Sequence, residues 1–304
     1  MKQLVFLAIC FAVASAAGHW KPGLSVRFDT SSVGAGSAFF IPLPQTVSEA
    51  MSARWLETPR PAGPLSSLVM FCPSQNDVVV CVLYDDNGFS SGLQIALPED
   101  SFADGALEWN AQGFTKWTAP ANTDGVERTY WTIQQYFISE EFLSKSKEER
   151  LASRVEGKIL QEDALWVTGF YGELMRISDD ASQVIDTATT HFTKQACIPA
   201  MGRHYYYNMT KELDCTSEQL LPWFPLLDMS TNQLIASGFG TFGQLPVSSL
   251  VRDYFERGNR NLVQVIVPTA PECMFDLAEN PGLLTMHIYY VDAPTHINCL
   301  FDSD

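Results

Sequence analysis

The chain carries one succession of short motifs twice, and no other feature constrains its fold so tightly. Arg27-Phe28-Asp29-Thr30-Ser31-Ser32, running on to Phe40-Ile41-Pro42, aligns with Val184-Ile185-Asp186-Thr187-Ala188-Thr189, running on to Cys197-Ile198-Pro199. Cys72-Pro73-Ser74-Gln75 with Asp85 aligns with Cys215-Thr216-Ser217-Glu218 with Asp228, and Leu97-Pro98 with Leu245-Pro246. The longest match pairs Thr132 to Ile138 with Thr285 to Val291. All four keep the same order while their offsets drift by several residues, as loop insertions in two copies of one unit would leave behind. The expectation is two repeats in which Cys72 coincides with Cys215, Asp85 with Asp228 and Thr132 with Thr285.

β-branched and aromatic runs bounded by turn residues read as strands. Val78 to Tyr84 and Leu93 to Leu97 flank Asp85-Asp86-Asn87-Gly88, whose Asn-Gly supplies the positive φ of a hairpin turn. Trp223 to Leu227 and Leu234 to Phe239 repeat the pattern around Asp228. Further strands are expected at Tyr130–Ile138, Ala164–Phe170, His204–Asn208, Leu262–Val267 and Leu283–Val291. Ser146-Lys147-Glu148-Glu149 is a capping box opening a helix, and Ser249 is expected to open another through Arg257. The fold class is mainly β (β-rich α+β): two tandem, internally duplicated sandwich- or barrel-like domains with few short helices. The expected bounds are a signal peptide over 1–17, a first β-rich repeat over 18–139, a connecting segment with a short helix and a strand over 140–175, and a second repeat over 176–304.

The opening segment has an early Lys2, an apolar run from Leu4 to Val13 and the small residues Ala14-Ser15-Ala16. That is the pattern of a cleaved secretory signal, too short to span a bilayer. The expected location is secreted and extracellular. The formal net charge is −16, and losing Lys2 makes it more negative, which disfavours nucleic acid and anionic membrane as partners. Cys10 would leave with the signal. Cys72, Cys81, Cys197, Cys215, Cys273 and Cys299 then remain, an even set that implies three disulfides in an oxidising compartment. The shortest-range pairings are Cys72–Cys81, Cys197–Cys215 and Cys273–Cys299.

Few residues suggest chemistry. Asp29-Thr30 and Asp186-Thr187, one in each repeat, resemble the paired Asp-Thr-Gly turns of pepsin-like aspartic proteases, which would imply a hydrolase with a shared-proton dyad. Ser31 and Ala188 stand where that family has glycine, and the favoured reading is two turn-capping side chains. Gly88-Phe89-Ser90-Ser91-Gly92 matches a nucleophile elbow in letters, yet it leads into a strand where an elbow needs a helix. The histidines are scattered, so neither a metal nor a cofactor is expected, and His287 reads as a core or cross-strand residue. His204-Tyr205-Tyr206-Tyr207 is the densest aromatic cluster. Alternation puts Tyr205 and Tyr207 on one face, where phenol rings could meet a sugar or a small apolar ligand. Asn208-Met209-Thr210 is a glycosylation sequon.

The resulting expectation is a secreted, non-enzymatic binding or interaction protein of defence, venom or storage type, its partner an extracellular protein, a sugar or a small apolar ligand. The alternatives are a hydrolase using Asp29 and Asp186, or a membrane-active toxin.

Overall fold

The computed structural model describes residues 20–27, 39–102, 106–247 and 251–300. The strands are β1 (Pro22–Arg27), β2 (Phe40–Pro42), β3 (Leu56–Thr58), β4 (Val69–Cys72), β5 (Val80–Tyr84), β6 (Ser90–Pro98), β7 (Thr115–Ala119) and β8 (Arg128–Tyr136), then β9 (Ala164–Thr168), β10 (Leu174–Ser178), β11 (Phe192–Ile198), β12 (Gly202–Tyr207), β13 (Trp223–Asp228), β14 (Gln233–Phe242), β15 (Glu256–Gly258) and β16 (Leu283–Val291). Among the described residues seven short α-helices accompany them: α1 (Val47–Ser52), α2 (Glu140–Ser144), α3 (Lys147–Ser153), α4 (Ala181–Val184), α5 (Thr187–Thr190), α6 (Arg260–Ile266) and α7 (Glu272–Leu277).

All ladders are antiparallel and form two sheets. The first runs β10-β9-β8-β6-β5-β4-β3, with β7 also on β8; the second runs β2-β1-β16-β14-β13-β12-β11, with β15 also on β16. The two orders coincide place for place when β9-β10 is set on β1-β2. Each repeat therefore opens with a hairpin that is hydrogen-bonded into the sheet of the other repeat. β9 lies on β8 through Gln135↔Val167, and β1 lies on β16 through Val26↔Ile288. The sheets consequently do not follow contiguous halves of the chain.

The registers repeat as well. Thr132 faces Ala96 and Ile133 faces Ile95, while Thr285 faces Gly240 and Met286 faces Phe239. The β5–β6 hairpin has its irregularity between Leu83 and Tyr84, and the β13–β14 hairpin has its own between Leu226 and Leu227. Asp85 and Asp228 then occupy the same turn position, where each Oδ1 accepts the amide two residues on. Thr132 and Thr285 coincide as expected.

Cys72 and Cys215 do not coincide. Met70↔Leu83 corresponds to His204↔Leu226, which sets Cys72 on Tyr206 and leaves Cys215 in a β12–β13 loop longer than its counterpart. Likewise the counterpart of β1-β2 is β9-β10, not the Val184–Pro199 stretch matched by letter, and Leu245-Pro246 lies beyond the end of β14.

The disulfide Cys72–Cys81 forms across β4 and β5 as expected. The other two cross over: Cys197 bonds Cys299 and Cys215 bonds Cys273. Strand order explains this, since Cys215 lies under α7, which carries Cys273, while the chain end returns beside β11. Two element types also differ from expectation. Leu262–Val267 is β-branched, yet it forms α6 because Asn259 caps Leu262 N and because Val263 and Val267, one turn apart, are buried while Val265 is exposed. The stretch expected to be a helix up to Arg257 holds β15 instead, recruited by the outer ladder of β16.

The two sheets pack face to face as a sandwich. Val80, Val82, Ile95, Ile133 and Leu165 from one sheet meet Val26, Trp223, Phe239, Met286 and Ile288 from the other in a single core. Phe114–Phe239 and Phe137–Tyr290 make edge contacts across it. Polar groups also bridge the layers: Ser237 Oγ donates to Gln135 Oε1 at 2.7 Å, and Trp223 Nε1 donates to Thr168 O at 3.0 Å. Over the outer face of the first sheet lies the proline-rich 59–68 loop, burying Leu65 and Leu68. Over the outer face of the second lies a longer insertion between β15 and β16, which carries α6 and α7.

Glycine at 238 is set by that second face, because a Cβ there would stand 1.9 Å from the Phe224 ring. At Gly240 the nearest atom would be 3.7 Å away, an ordinary contact. Gly238→Ala is therefore expected to cost about 1–3 kcal/mol through forced repacking, measured by urea denaturation, with Gly240→Ala costing clearly less. Equal effects would contradict this packing.

Candidate functional site

A cavity of about 470 Å³ opens where the two repeats meet. One wall comes from the first repeat: Val79 just before β5, Pro98 at the end of β6 with Asp100 and Ser101 after it, and Asn122, Arg128 and Tyr130 of the β7–β8 hairpin. The other comes from the segment leading to β15, with Leu245 to Val247 and Val251 to Asp253. Its size suits a small organic ligand, and so does its make-up of apolar wall with a few charges. Arg128 is ion-paired with Asp124 at 2.8 Å and Arg257 with Asp253 at 2.7 Å, which fixes two of the carboxylates at the rim.

Behind this cleft sits Asp77, which is buried. Its Oδ2 accepts from Arg252 N at 3.3 Å, whereas its Oδ1 has no hydrogen-bond partner. Burial raises its carboxyl above the ordinary 3.8, outweighing the bonds from the Arg252 and Val79 amides. The folded protein thus holds this proton more tightly than the unfolded chain does. The associated stability is complete below the unfolded value and is lost as pH rises through the folded one. Asp77→Asn, which keeps an acceptor but no charge, is expected to raise the melting temperature relative to the native protein at pH 7 and not at pH 3. A pH-independent difference would contradict the assignment.

A second cluster lies on the outer face of the second sheet, beneath α6 and α7. Arg27 of β1 pairs with Glu256 of β15 at 3.4 Å, both side chains 1% exposed. His287 of β16 meets the same carboxylate through Nδ1 at 3.1 Å. His204 of β12 places Nδ1 3.2 Å from Ala196 O, and its ring lies edge-on to His287 with centroids 5.7 Å apart. Burial, then the neighbouring His287, pushes the His204 imidazole down to about 3, so it is neutral.

Buried ion pairs are costly to assemble and more costly to break, and the first sheet shows that this fold does not need one here. By register, Thr168, Thr115, Gln134 and Met70 stand where the second sheet has Arg27, Glu256, His287 and His204. There Thr168 Oγ1 simply bonds Gln134 N and O. Arg27→Met is expected to cost about 3–5 kcal/mol in urea denaturation, the range for breaking one partner of a buried pair. A cost under about 1 kcal/mol would show that the pair contributes as little as an exposed one.

The residues singled out from sequence are placed elsewhere. Asp186 is exposed at the start of α5, accepting from Thr189 Oγ1 at 2.8 Å; Asp29 and the 1–17 segment lie outside the described residues. The expected alternation of the tyrosines is present, but Tyr205 is buried in the inter-sheet core, and Tyr207 is half-buried against Phe170, His191 and Phe192. Tyr206 faces the other way and stacks on Phe224 at 4.5 Å. Asn208 is exposed. Ser90 of the Gly-x-Ser-x-Gly stretch begins β6 and is buried. Sequence reading missed the Arg27–Glu256–His287–His204 cluster, because its members are far apart in the chain and only strand register brings them together.

Searches of family models, of curated proteins and of solved structures find no match to this chain.

Proposed function

We propose that this chain is a secreted, non-enzymatic binding protein that holds a small amphipathic ligand in the cleft between its two repeats. The observation that carries the reading is the cleft itself: about 470 Å³, walled by valine, leucine and proline and rimmed by Arg128, Arg252, Asp100 and Asp253. An apolar wall supplies affinity and a few fixed charges supply orientation. The signal-like opening and the even cysteine set support secretion, and the exposed Asn208 supports glycosylation there.

The test uses 1-anilinonaphthalene-8-sulfonate, an apolar fluorophore with one negative charge, titrated into the folded full chain. Saturable one-to-one binding is expected. Val251→Trp, which fills the cleft, should weaken it by at least about tenfold, or ~1.4 kcal/mol. Arg252→Ala should weaken it by removing the cationic partner. No saturable binding, or binding untouched by Val251→Trp, would overturn the assignment of this cleft.

A further inference from the structure

We propose that the chamber between the second sheet and α6–α7 is a binding site for one monovalent copper ion, held by Nε2 of His204 and Nε2 of His287 with the Met274 thioether as third ligand. All three residues line one cavity of about 30 Å³, which is room for a single ion or a single water. Neither imidazole Nε2 has a hydrogen-bond partner.

The tautomers follow from the partners on the other side of each ring. The partner of His204 Nδ1 is a backbone carbonyl oxygen, and that of His287 Nδ1 is the Glu256 carboxylate. Neither can donate, so each Nδ1 carries the proton and each Nε2 keeps its lone pair. A carboxylate behind a histidine is the usual outer partner of a metal-bound imidazole, fixing the ring and raising its basicity.

The donor set selects the ion. Calcium and magnesium require six or more oxygens, and zinc takes at least three protein ligands drawn from Cys, His, Asp and Glu. Among the described residues no group of three or more His, Cys, Asp or Glu is placed to hold a metal. Two imidazoles and a thioether suit a soft ion with a low coordination number, which is monovalent copper. The two rings lie edge to face with centroids 5.7 Å apart, a separation that one ion bonded to both nitrogens at about 2 Å each can bridge. The first sheet has Met70 and Gln134 in place of the two histidines, and among the described residues its outer face is covered by the 59–68 loop and the short α2, which contributes Phe142, so the paired histidines under two helices are a feature of the second sheet.

The experiment titrates the full chain anaerobically with ascorbate-reduced copper against bathocuproine disulfonate. One copper per chain is expected to be retained, with X-ray absorption showing two nitrogen ligands and one sulfur. His287→Gln, which installs the residue the first sheet uses, and His204→Phe should each lower retention by at least about tenfold; Met274→Leu should remove the sulfur scattering and weaken retention less. Circular dichroism identifies which variants are folded, and His287→Gln alone suffices if His204→Phe is not. Failure of the native chain to hold copper, retention unchanged in a folded histidine variant, or a water between the imidazoles of copper-treated crystals would overturn the site.

Discussion

The outer ladders of β8 and β16 each need a partner strand, and in both cases the partner is the opening hairpin of the other repeat. An unpaired backbone edge at the centre of a sandwich would leave buried amides and carbonyls without partners. β9 meets that need on β8 and β1 meets it on β16, so neither sheet can be completed by a contiguous half of the chain. Everything else is arranged around this exchange. The inter-sheet core and the Arg27–Glu256 pair both depend on β1 lying beside a strand from the far end of the chain. Such long-range closure is also the kind of contact that forms late and slowly in folding.

Once the scaffold is doubled, the copies are free to diverge at matched positions. The first repeat ties β4 to β5 with Cys72–Cys81; at the same two places the second stacks Tyr206 on Phe224. One repeat covers its outer face with a proline-rich loop and joins its strands through neutral Thr168 and Gln134. Its partner carries two helices fastened by Cys215–Cys273 over a floor thinned by Gly238 and Gly240, and it buries two histidines and an ion pair there. Each sheet is thus a control for the other. Features present in only one of them are not demanded by the topology.

The β-rich class, both hairpins, the Ser146 capping box and the equivalences Asp85/Asp228 and Thr132/Thr285 were legible in the sequence, because each rests on local periodicity or turn chemistry. What escaped was whatever depends on which strands become neighbours. The crossed disulfides follow from Cys215 lying beneath α7, and the true counterpart of β1-β2 shares shape with it rather than letters. Val263 and Val267 favour a strand by propensity, yet they were drawn into α6 by the apolar sheet face below. Tyr205 and Tyr207 alternate as read, but no pattern within one strand says which face will be buried by a second sheet. His204 and His287 looked like isolated histidines until the register of β12 to β16 brought their rings together.

The hairpin exchange is tested most directly by cross-strand contacts in solution. In a deuterated, amide-labelled sample, nuclear Overhauser effects are expected between Val26 and Ile288 and between Gln135 and Val167, the partners in the β1–β16 and β8–β9 ladders. Effects linking Val26 to Gln135 instead, with none to Ile288, would mean that each repeat keeps its own hairpin, and would contradict the account.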